Sequence, residues 1–458
     1  MKALFKLSVL LSAVISLSVT LLLISSPAFA KHAHHKGKKA FAHNPVIFIH
    51  GSSGSASQFE SQAMRFMSNG YPKDHIHAME YDSSAENPYV YWPTVVYPRL
   101  DALIAQVLET TGKTQVDLMG HSMGTFVSQY YLNSNPARAA KVAHYVNIDG
   151  ISGKQMALSG ISSPPGGVET MALWAGMTYK EEAEIDDAQN VVIDNQTHVE
   201  VCTSAESFFE MYSFFTGTAP QTTRVVPETW GLIEIAGRAC LFPENIGVDG
   251  AMLEIYRISH KTGNRLSKHP RAVFEIGEDG NFGPFKARAG ERFEFVIIRD
   301  GQDHHFYKES FLRSDYFVRL NTSRVGEGIG ASMDTHPEQA NLIISRDKEF
   351  WGERPLEKDI LAINGVDVIN EVTGEFINRT NVVYVFDQNA DGISYIDEPV
   401  GFLHSVPFMT GVDLFVPTDM IRITAIPRGG NGKMQIINIP GWASDYHRIS
   451  VQFNDFVQ

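Results

Sequence analysis

The sequence predicts an α/β protein, a mostly parallel sheet with flanking helices, followed by all-β modules of the sandwich or barrel type. Three observations predict it. Short β-rich runs alternate with amphipathic stretches from Asn44 onward, the pattern of a parallel sheet covered by helices. Around Thr218 to Thr229 helical periodicity ends, and short strands punctuated by Gly, Asp and Asn take over, as in antiparallel sandwiches and barrels. Between one β run and one helical stretch stands Gly120-His121-Ser122-Met123-Gly124, a serine flanked by glycines two residues away on both sides. The composition agrees: 458 residues with 43% hydrophobic and 20% charged describe a globular chain, which excludes disordered, collagenous and multi-span membrane proteins.

The first segment is an export signal. Lys2 and Lys6 precede an apolar stretch from Leu7 to Ile24, and Ala28-Phe29-Ala30 has the small-x-small form that signal peptidase reads. Cleavage after Ala30 makes the protein secreted, extracellular or periplasmic; the alternative is an uncleaved anchor, because the apolar stretch is nearly long enough to span. Residues 31–43 are basic and His-rich without apolar periodicity, a flexible tail. Lys+Arg number 38 against 52 Asp+Glu, and removing the two leader lysines moves the net charge from −14 to −16. A phosphate backbone would be repelled, so nucleic acid is not an expected partner.

The catalytic region is expected over 44–220, with strands at Pro45 to His50, His75 to Tyr81, Gln115 to Met119, Lys141 to Ile148, Thr170 to Ala175 and Gln189 to Asp194. Phe59, Ala63, Phe66 and Met67 mark one helix that stops at Gly70. Leu100, Leu103, Ile104, Val107 and Leu108 mark another that ends at Gly112. A third begins right after Ser122, with Phe126, Val127, Tyr130 and Tyr131 as its stripe. Two β-rich modules follow, 221–321 and 322–458. Their runs include Gly231 to Ile235, Met252 to Ile258, Arg292 to Ile298 and Asn341 to Ile344.

A serine on a tight strand-to-helix turn needs small neighbours, because the turn brings adjacent backbones close, and the helix N-terminus behind it favours negative charge. Ser122 is therefore the candidate nucleophile. A glycine-rich turn after the first strand, His50-Gly51-Ser52-Ser53-Gly54, can present one amide to an oxyanion. The amides of Ser52 and Met123 are the expected hole. A serine needs a histidine base and an acid to orient it, in the chain order Ser, Asp or Glu, His. His198 follows the last strand of the parallel sheet and is the expected base; His144 lies inside a strand, and His260, His269, His304 and His305 belong to the β-rich region. Asp149, after Val146-Asn147-Ile148 and before Gly150, would emerge at the edge of the sheet beside Ser122 and is the expected acid; Asp194 and Glu181 are the alternatives.

With these groups assembled, residues 44–220 resemble secreted lipases and carboxylesterases of the α/β-hydrolase superfamily. The resemblance is carried by His50-Gly51, Gly120-His121-Ser122-Met123-Gly124, Asn147-Ile148-Asp149-Gly150 and Gln196-Thr197-His198-Val199. The form it suggests is a minimal hydrolase core joined to a C-terminal β-rich domain thought to assist lipid binding. It implies the triad Ser122, Asp149 and His198 and long-chain acyl ester substrates, with no cofactor required for catalysis. It also implies an ester or lipid as substrate and contact with a lipid interface through the β modules. The other readings are a polyester depolymerase or short-chain esterase and, in another class, a non-catalytic binding or adhesion protein on a hydrolase scaffold.

Three further features are expectations. Tyr89, Tyr91 and Trp92 crowd a Pro-rich loop after the second strand and are substrate-binding candidates, as lining of an acyl pocket or as a lid; Ser152 to Gly167 is a second candidate cover. Asp387, Asn389, Asp391 and Glu398, with Gly392 between, match the spacing of a calcium loop but follow a β run, so they read as a structural calcium site or a solvated acidic turn. Cys202 and Cys240 are the only cysteines. Export permits a bridge between them, beside the candidate base; two buried thiols are the alternative.

Overall fold

Val46, Ile47, Phe48 and Ile49 are wholly buried, and an apolar run of this kind belongs inside a sheet covered on both faces. It forms strand β1 (Val46–Ile49), which lies between β2 (Ile76–Met79) and β3 (Val116–His121). Strands β4 (Val142–Ile148), β5 (Glu169–Ala175) and β6 (Gln189–Ile193) continue from β3. The order is β2-β1-β3-β4-β5-β6, and every pairing is parallel. This computed structural model describes residues 41–456 apart from 86, 354–357 and 405; the expected signal peptide and most of the basic segment lie outside the described residues.

Side chains alternate across a strand, and β1 is covered accordingly. Ile47 and Ile49 share a core with Leu100, Ile104 and Val107 of the helix Tyr97–Thr111 and with Val127 and Tyr131 of the helix Met123–Ser134. Phe48 stacks on Phe59 with ring centres 4.5 Å apart and meets Phe66 of the helix Glu60–Ser68 at 6.2 Å. The helix Tyr97–Thr111 stops where Gly112 takes a left-handed φ of 68°, the usual glycine terminator.

The stretch read as an aromatic loop is helical instead. Pro88–Tyr91 forms a helical turn, and the π-turn Trp92–Val96 runs on into Tyr97–Thr111. Trp92, Val96, Leu100 and Ile104 recur every four residues and enter one core, so a single buried stripe outweighs the loop-like composition. Trp92 is thereby a core residue rather than a pocket lining. The Tyr91 hydroxyl accepts the Asp82 amide at 3.1 Å, while Tyr89 remains exposed.

Beyond residue 232 the regular elements among the described residues are strands, apart from three short 3-10 turns. One four-stranded sheet holds Ile233–Leu241 between Asn281–Ala287 and Asp315–Thr322, with Ile246–Gly247 added to its central strand. Another holds Val366–Asp367, Ile360–Ile363, Met420–Ile426 and Gln435–Pro440. Between them an eight-stranded sheet takes four strands from each side of residue 322. It is mixed rather than purely antiparallel. The strand His447–Gln452 runs parallel to both Asp303–Lys308 and Leu342–Ser345, because its neighbours come from distant parts of the chain rather than from hairpins.

The β region docks on the parallel sheet through specific contacts. Phe317 meets Phe48 edge-on at 6.4 Å. Lys308 Nζ donates to both oxygens of the buried Glu60 carboxylate at 2.7 and 2.8 Å, Arg319 pairs with Glu80 at 2.6 Å, and the Asn245 amide donates to the carbonyls of Gly54 and Tyr81. Residues 42–458 form one compact unit.

The expected bridge between Cys202 and Cys240 is absent: both are free and buried. Cys202 lies in the short helix Glu200–Thr203, with its carbonyl bonded to Gln62 and with Asp347, Asp455 and Glu349 as charged neighbours. Cys240 lies opposite Gly247 in a different sheet, among Arg238, Arg319 and Glu80. Each thiol is enclosed by its own packing, and burial raises the pKa of both. Alkylation of the denatured, unreduced protein should therefore add two adducts by intact mass; no adducts would restore the bridge.

Docking also gathers acids. Asp347 faces Asp455, Glu60 and Lys308; burial first, then the charges of Asp455 and Glu60, push its carboxyl up to about 8, with Lys308 opposing. An unfolded Asp titrates near ~3.9, so the folded chain holds this proton more tightly. The resulting stabilisation is complete below the unfolded value and is lost as pH rises through about 8. The slope is about 1.4 kcal/mol per pH unit for one proton. Asp347→Asn should lose less Tm than the parent between neutral and mildly alkaline pH; parallel curves would reject the assignment.

Candidate active site

Strand β3 ends at His121 and the helix Met123–Ser134 begins two residues on, with Ser122 between them at φ 53° and ψ −121°. A serine in this region is strained, and the surrounding packing must hold it there. That packing requires the two glycines: a Cβ on Gly120 would lie 2.6 Å from the Gly124 carbonyl oxygen, and one on Gly124 would lie 2.2 Å from the Ile49 oxygen. The backbone after β1 passes directly against the serine, since a Cβ on Gly51 would lie 3.0 Å from Ser122 Cβ. Ser52 follows Gly51 and Met123 follows Ser122, so both amides expected to form the oxyanion hole belong to residues adjoining this contact. Met123 opens its helix, where amides lack intrahelical acceptors. The turn after β1 is fixed from beneath. The His50 ring stacks on Tyr81 at 4.3 Å, the Tyr81 hydroxyl donates to the His50 carbonyl, and the Gly51 amide donates to Gln58.

Asp149 leaves β4 with a left-handed φ of 40°, and Gly150 follows where a Cβ would sit 2.0 Å from Thr125 Oγ1. One carboxylate oxygen, Oδ2, lies 2.6 Å from His198 Nδ1, and the other accepts the Ala175 amide at 3.0 Å. Burial works to raise the Asp149 pKa. The hydrogen bond and charge of His198, with the Ala175 amide, outweigh it and hold the carboxyl below the ordinary range. Asp194 and Glu181 are both exposed, and Asp149 is the carboxylate bonded to His198.

His121 steadies the same histidine from the other side. Its Nε2 lies 2.9 Å from the His198 carbonyl oxygen and therefore donates, and the two rings are 4.7 Å apart. Burial, then the neighbouring His198, depresses the His121 pKa to about 3, so His121 stays neutral. His198 Nε2 is buried and has no hydrogen-bond partner among the described residues. The imidazole thus has one nitrogen committed to a carboxylate and the other free, the arrangement of a base awaiting a proton donor. The space beside it, walled by Thr178, Phe350, Trp351, Phe376 and Arg379, is a small cavity of about 10 Å³.

The sequence reading missed the residues that hold the His198 loop, and they come from the β region. Glu349 is buried, and its carboxylate accepts the Val199 amide at 2.6 Å, the Glu200 amide at 3.0 Å and the Thr197 hydroxyl. Arg428 donates to Thr197 Oγ1 at 3.1 Å and to the Glu200 carboxylate at 2.7 Å. Lys348 pairs with Glu200 at 2.6 Å. Arg428 and Arg346 both pair with Asp359 at 2.6 Å. Burial opposes ionisation of Asp359, and the two arginines overcome it and bring its pKa down to about 2. The one signal in the sequence was the charge run Arg346-Asp347-Lys348-Glu349, which reads as a solvated face until the fold shows it buried.

The residues expected as a calcium loop or a solvated acidic turn begin with a 3-10 turn at Gln388–Ala390. Among the described residues no group of three or more His, Cys, Asp or Glu is placed to hold a metal ion. Asp387 instead accepts the Gly392 amide and Asp391 the Ile393 amide, the Asn389 amide donates to Asp334, and Glu398 is exposed. The carboxylates close turns locally, as short acidic side chains do.

A strained serine on a strand-to-helix turn at the edge of a parallel sheet, with an Asp-paired histidine after the last strand, defines an α/β-hydrolase site. Comparison with known families agrees with that class. Residues 43–174 match the model for lipase (class 2), 231–325 match the lipase C-terminal domain, and 328–457 match a further C-terminal domain model. The two lipase models, over residues 43–174 and 231–325, support an ester-hydrolysing lipase or esterase built on this fold. Among solved structures the chain is similar to a carboxylesterase from Bacillus subtilis (13% identity, 38% of this chain and 85% of that one, TM-score 0.26). It is also similar to an α/β-hydrolase from a metagenome of lagoon sediments of Mar Chica, Morocco (15%, 38% and 91%, 0.28), and to a predicted hydrolase from Thermoplasma acidophilum (15%, 38% and 85%, 0.27). The family models alone carry the assignment.

Replacing Glu349 by Gln keeps the volume but leaves a donor facing donors. It should lower ester turnover by about 10²-fold through displacement of the His198 loop and cost about 1–3 kcal/mol in denaturant unfolding. Unchanged turnover would show that the loop holds its position without this anchor.

Proposed function

We propose that the protein is an exported serine ester hydrolase that cleaves acyl lipids through Ser122, His198 and Asp149. The observation that carries this reading is the His198–Asp149 pair at 2.6 Å with the distal nitrogen of His198 unpartnered. The strained geometry of Ser122 on the adjoining turn supports it. Ser122 Oγ attacks the ester carbonyl as His198 Nε2 takes its proton. Asp149 keeps the imidazole in the tautomer with Nδ1 protonated and stabilises the imidazolium that forms. The amides of Ser52 and Met123 receive the oxyanion. His198 then returns the proton to the leaving alcohol, and the acyl-enzyme remains. Water, deprotonated by His198, attacks that acyl group and releases the carboxylic acid. Every step uses groups of the chain itself and no organic cofactor. The lipase class of both matched domains favours acyl lipids among esters, and the apolar leader supports export.

A fluorophosphonate probe should label the protein, and Ser122→Ala should abolish labelling. Asp149→Asn should retain the fold but lose about 10⁴-fold in kcat. Activity on p-nitrophenyl esters of rising chain length, followed by emulsified triglyceride, reads the substrate class. A parent protein that takes no label would refute the serine mechanism, and activity confined to the shortest esters would refute the lipid assignment.

A further inference from the structure

A cavity of about 350 Å³ lies between the segment Ser53–Gln58, just past the candidate oxyanion turn, and the eight-stranded sheet. Ser122, Asp149 and His198 are not on its wall. Much of the wall is apolar, with Phe306, Ile343, Val382 and Met409 among its residues. Four cationic side chains also line it, Lys308, Arg319, Arg346 and Arg448, with one acid, Asp347. Three of them are neutralised, Lys308 by Glu60, Arg319 by Glu80 and Arg346 by Asp359. The fourth is not. Arg448 is only 4% exposed, its hydrogen bond runs from Nη1 to the Ser323 hydroxyl at 2.7 Å, and it has no carboxylate partner among the described residues. A buried cation without a counter-ion is costly, and a protein retains one where something else supplies the charge.

The neighbouring groups feel this charge. Burial, then Arg448, lowers the pKa of Arg299 to about 10, with Asp303 opposing. Burial, then Arg448 and Arg299, holds His304 neutral. Tyr384, also on the wall, is the group that acts in favour of the Arg448 charge. Gly330 gives the guanidinium its room, because a Cβ there would lie 2.7 Å from Arg448 Cζ.

We infer that this cavity binds a long-chain carboxylate, its head group on the free N–H groups of Arg448 and its alkyl chain along the apolar wall. A guanidinium fork matches a carboxylate in a two-bond arrangement, and Arg448 is the cation with N–H groups to spare, because Arg299 beside it spends its own on Gln302, Ser323 and Thr322. The ligand class is the acid that ester hydrolysis releases. Occupation would press on Ser53–Gln58 and so reach the turn beside Ser122. That link to product control rests on the function proposed above; the binding itself does not.

Calorimetric titration with decanoate tests the site, with decanol and decyl phosphate as the neutral and phosphate-headed probes. The expected result is one decanoate per chain, bound at least tenfold more tightly than decanol or decyl phosphate. Arg448→Met should weaken decanoate at least tenfold, raise the Tm of the unliganded protein and keep turnover of p-nitrophenyl acetate. Arg448→Lys should retain decanoate binding in part. Gly330→Ala, which displaces the guanidinium without removing its charge, should also weaken binding and serves where Arg448→Met does not fold. Absence of decanoate binding, equal affinity in the parent and both the Met and Ala variants, or preference for decyl phosphate would overturn the proposal. Loss of p-nitrophenyl acetate turnover in the parent would instead count against the enzyme reading and leave the titration to judge the site.

Discussion

One carboxylate, Glu349, fixes the segment that carries the candidate base, His198. It accepts from Thr197, Val199 and Glu200, the residues on both sides of His198. Because the donors are backbone and hydroxyl groups of consecutive residues, the loop cannot shift without leaving several buried donors unpaired. An imidazole whose ring is set by Asp149 and whose backbone is set by His121 and Glu349 has little freedom left. Catalytic geometry is sensitive at the ångström scale, and here that geometry is imposed from outside the parallel sheet.

The charges around this anchor follow from its burial. Arg428, Asp359, Arg346, Lys348 and Glu200 form a connected network in which each cation has a carboxylate partner. Such networks contribute less stability than hydrophobic packing of the same volume, but removing one member strands the others. Their effect here is selective: the β region fits the hydrolase sheet in one arrangement, with Lys308 on Glu60 and Arg319 on Glu80 completing the match. The same logic isolates Arg448, the wall cation for which no partner was built.

The parallel sheet and the elbow were legible because their causes are local. Apolar runs bounded by turn residues mark β1 to β6, and the glycine at 120 is demanded by Gly124 within the same turn, while Gly124 itself meets Ile49 of the neighbouring strand. Asp149 and His198 were legible from chain order and from their positions after strands. The aromatic stretch at Tyr89 to Trp92 was misread because proline and aromatic composition suggested a loop, whereas the four-residue spacing from Trp92 to Ile104 buries it as helix. Glu349 and Arg428 were illegible for a different reason. Their meaning depends on contacts across 150 and more residues of chain, and nothing local distinguishes a buried carboxylate from a solvated one. Cys202 and Cys240 show the same limit, since compartment permits a bridge but only packing brings thiols together.

The strand His447–Gln452 occupies the middle of the eight-stranded sheet, flanked on both sides by strands made much earlier. A ribosome therefore releases the centre of that sheet last. Leu342–Ser345, which leads into Arg346 and Glu349, pairs with this final strand on one edge. Until residues 447–452 are made, the platform that carries the Glu349 anchor is incomplete, and the histidine loop is held from within the first 220 residues, by Asp149 and His121 on His198 and by Gln62 and Glu206 beside it. Order of synthesis thus runs opposite to order of function: the residues proposed to perform the chemistry are made before the ones that align them. A chain lacking residues 447–452 would retain Ser122, Asp149 and His198 and lack part of the platform that aligns His198.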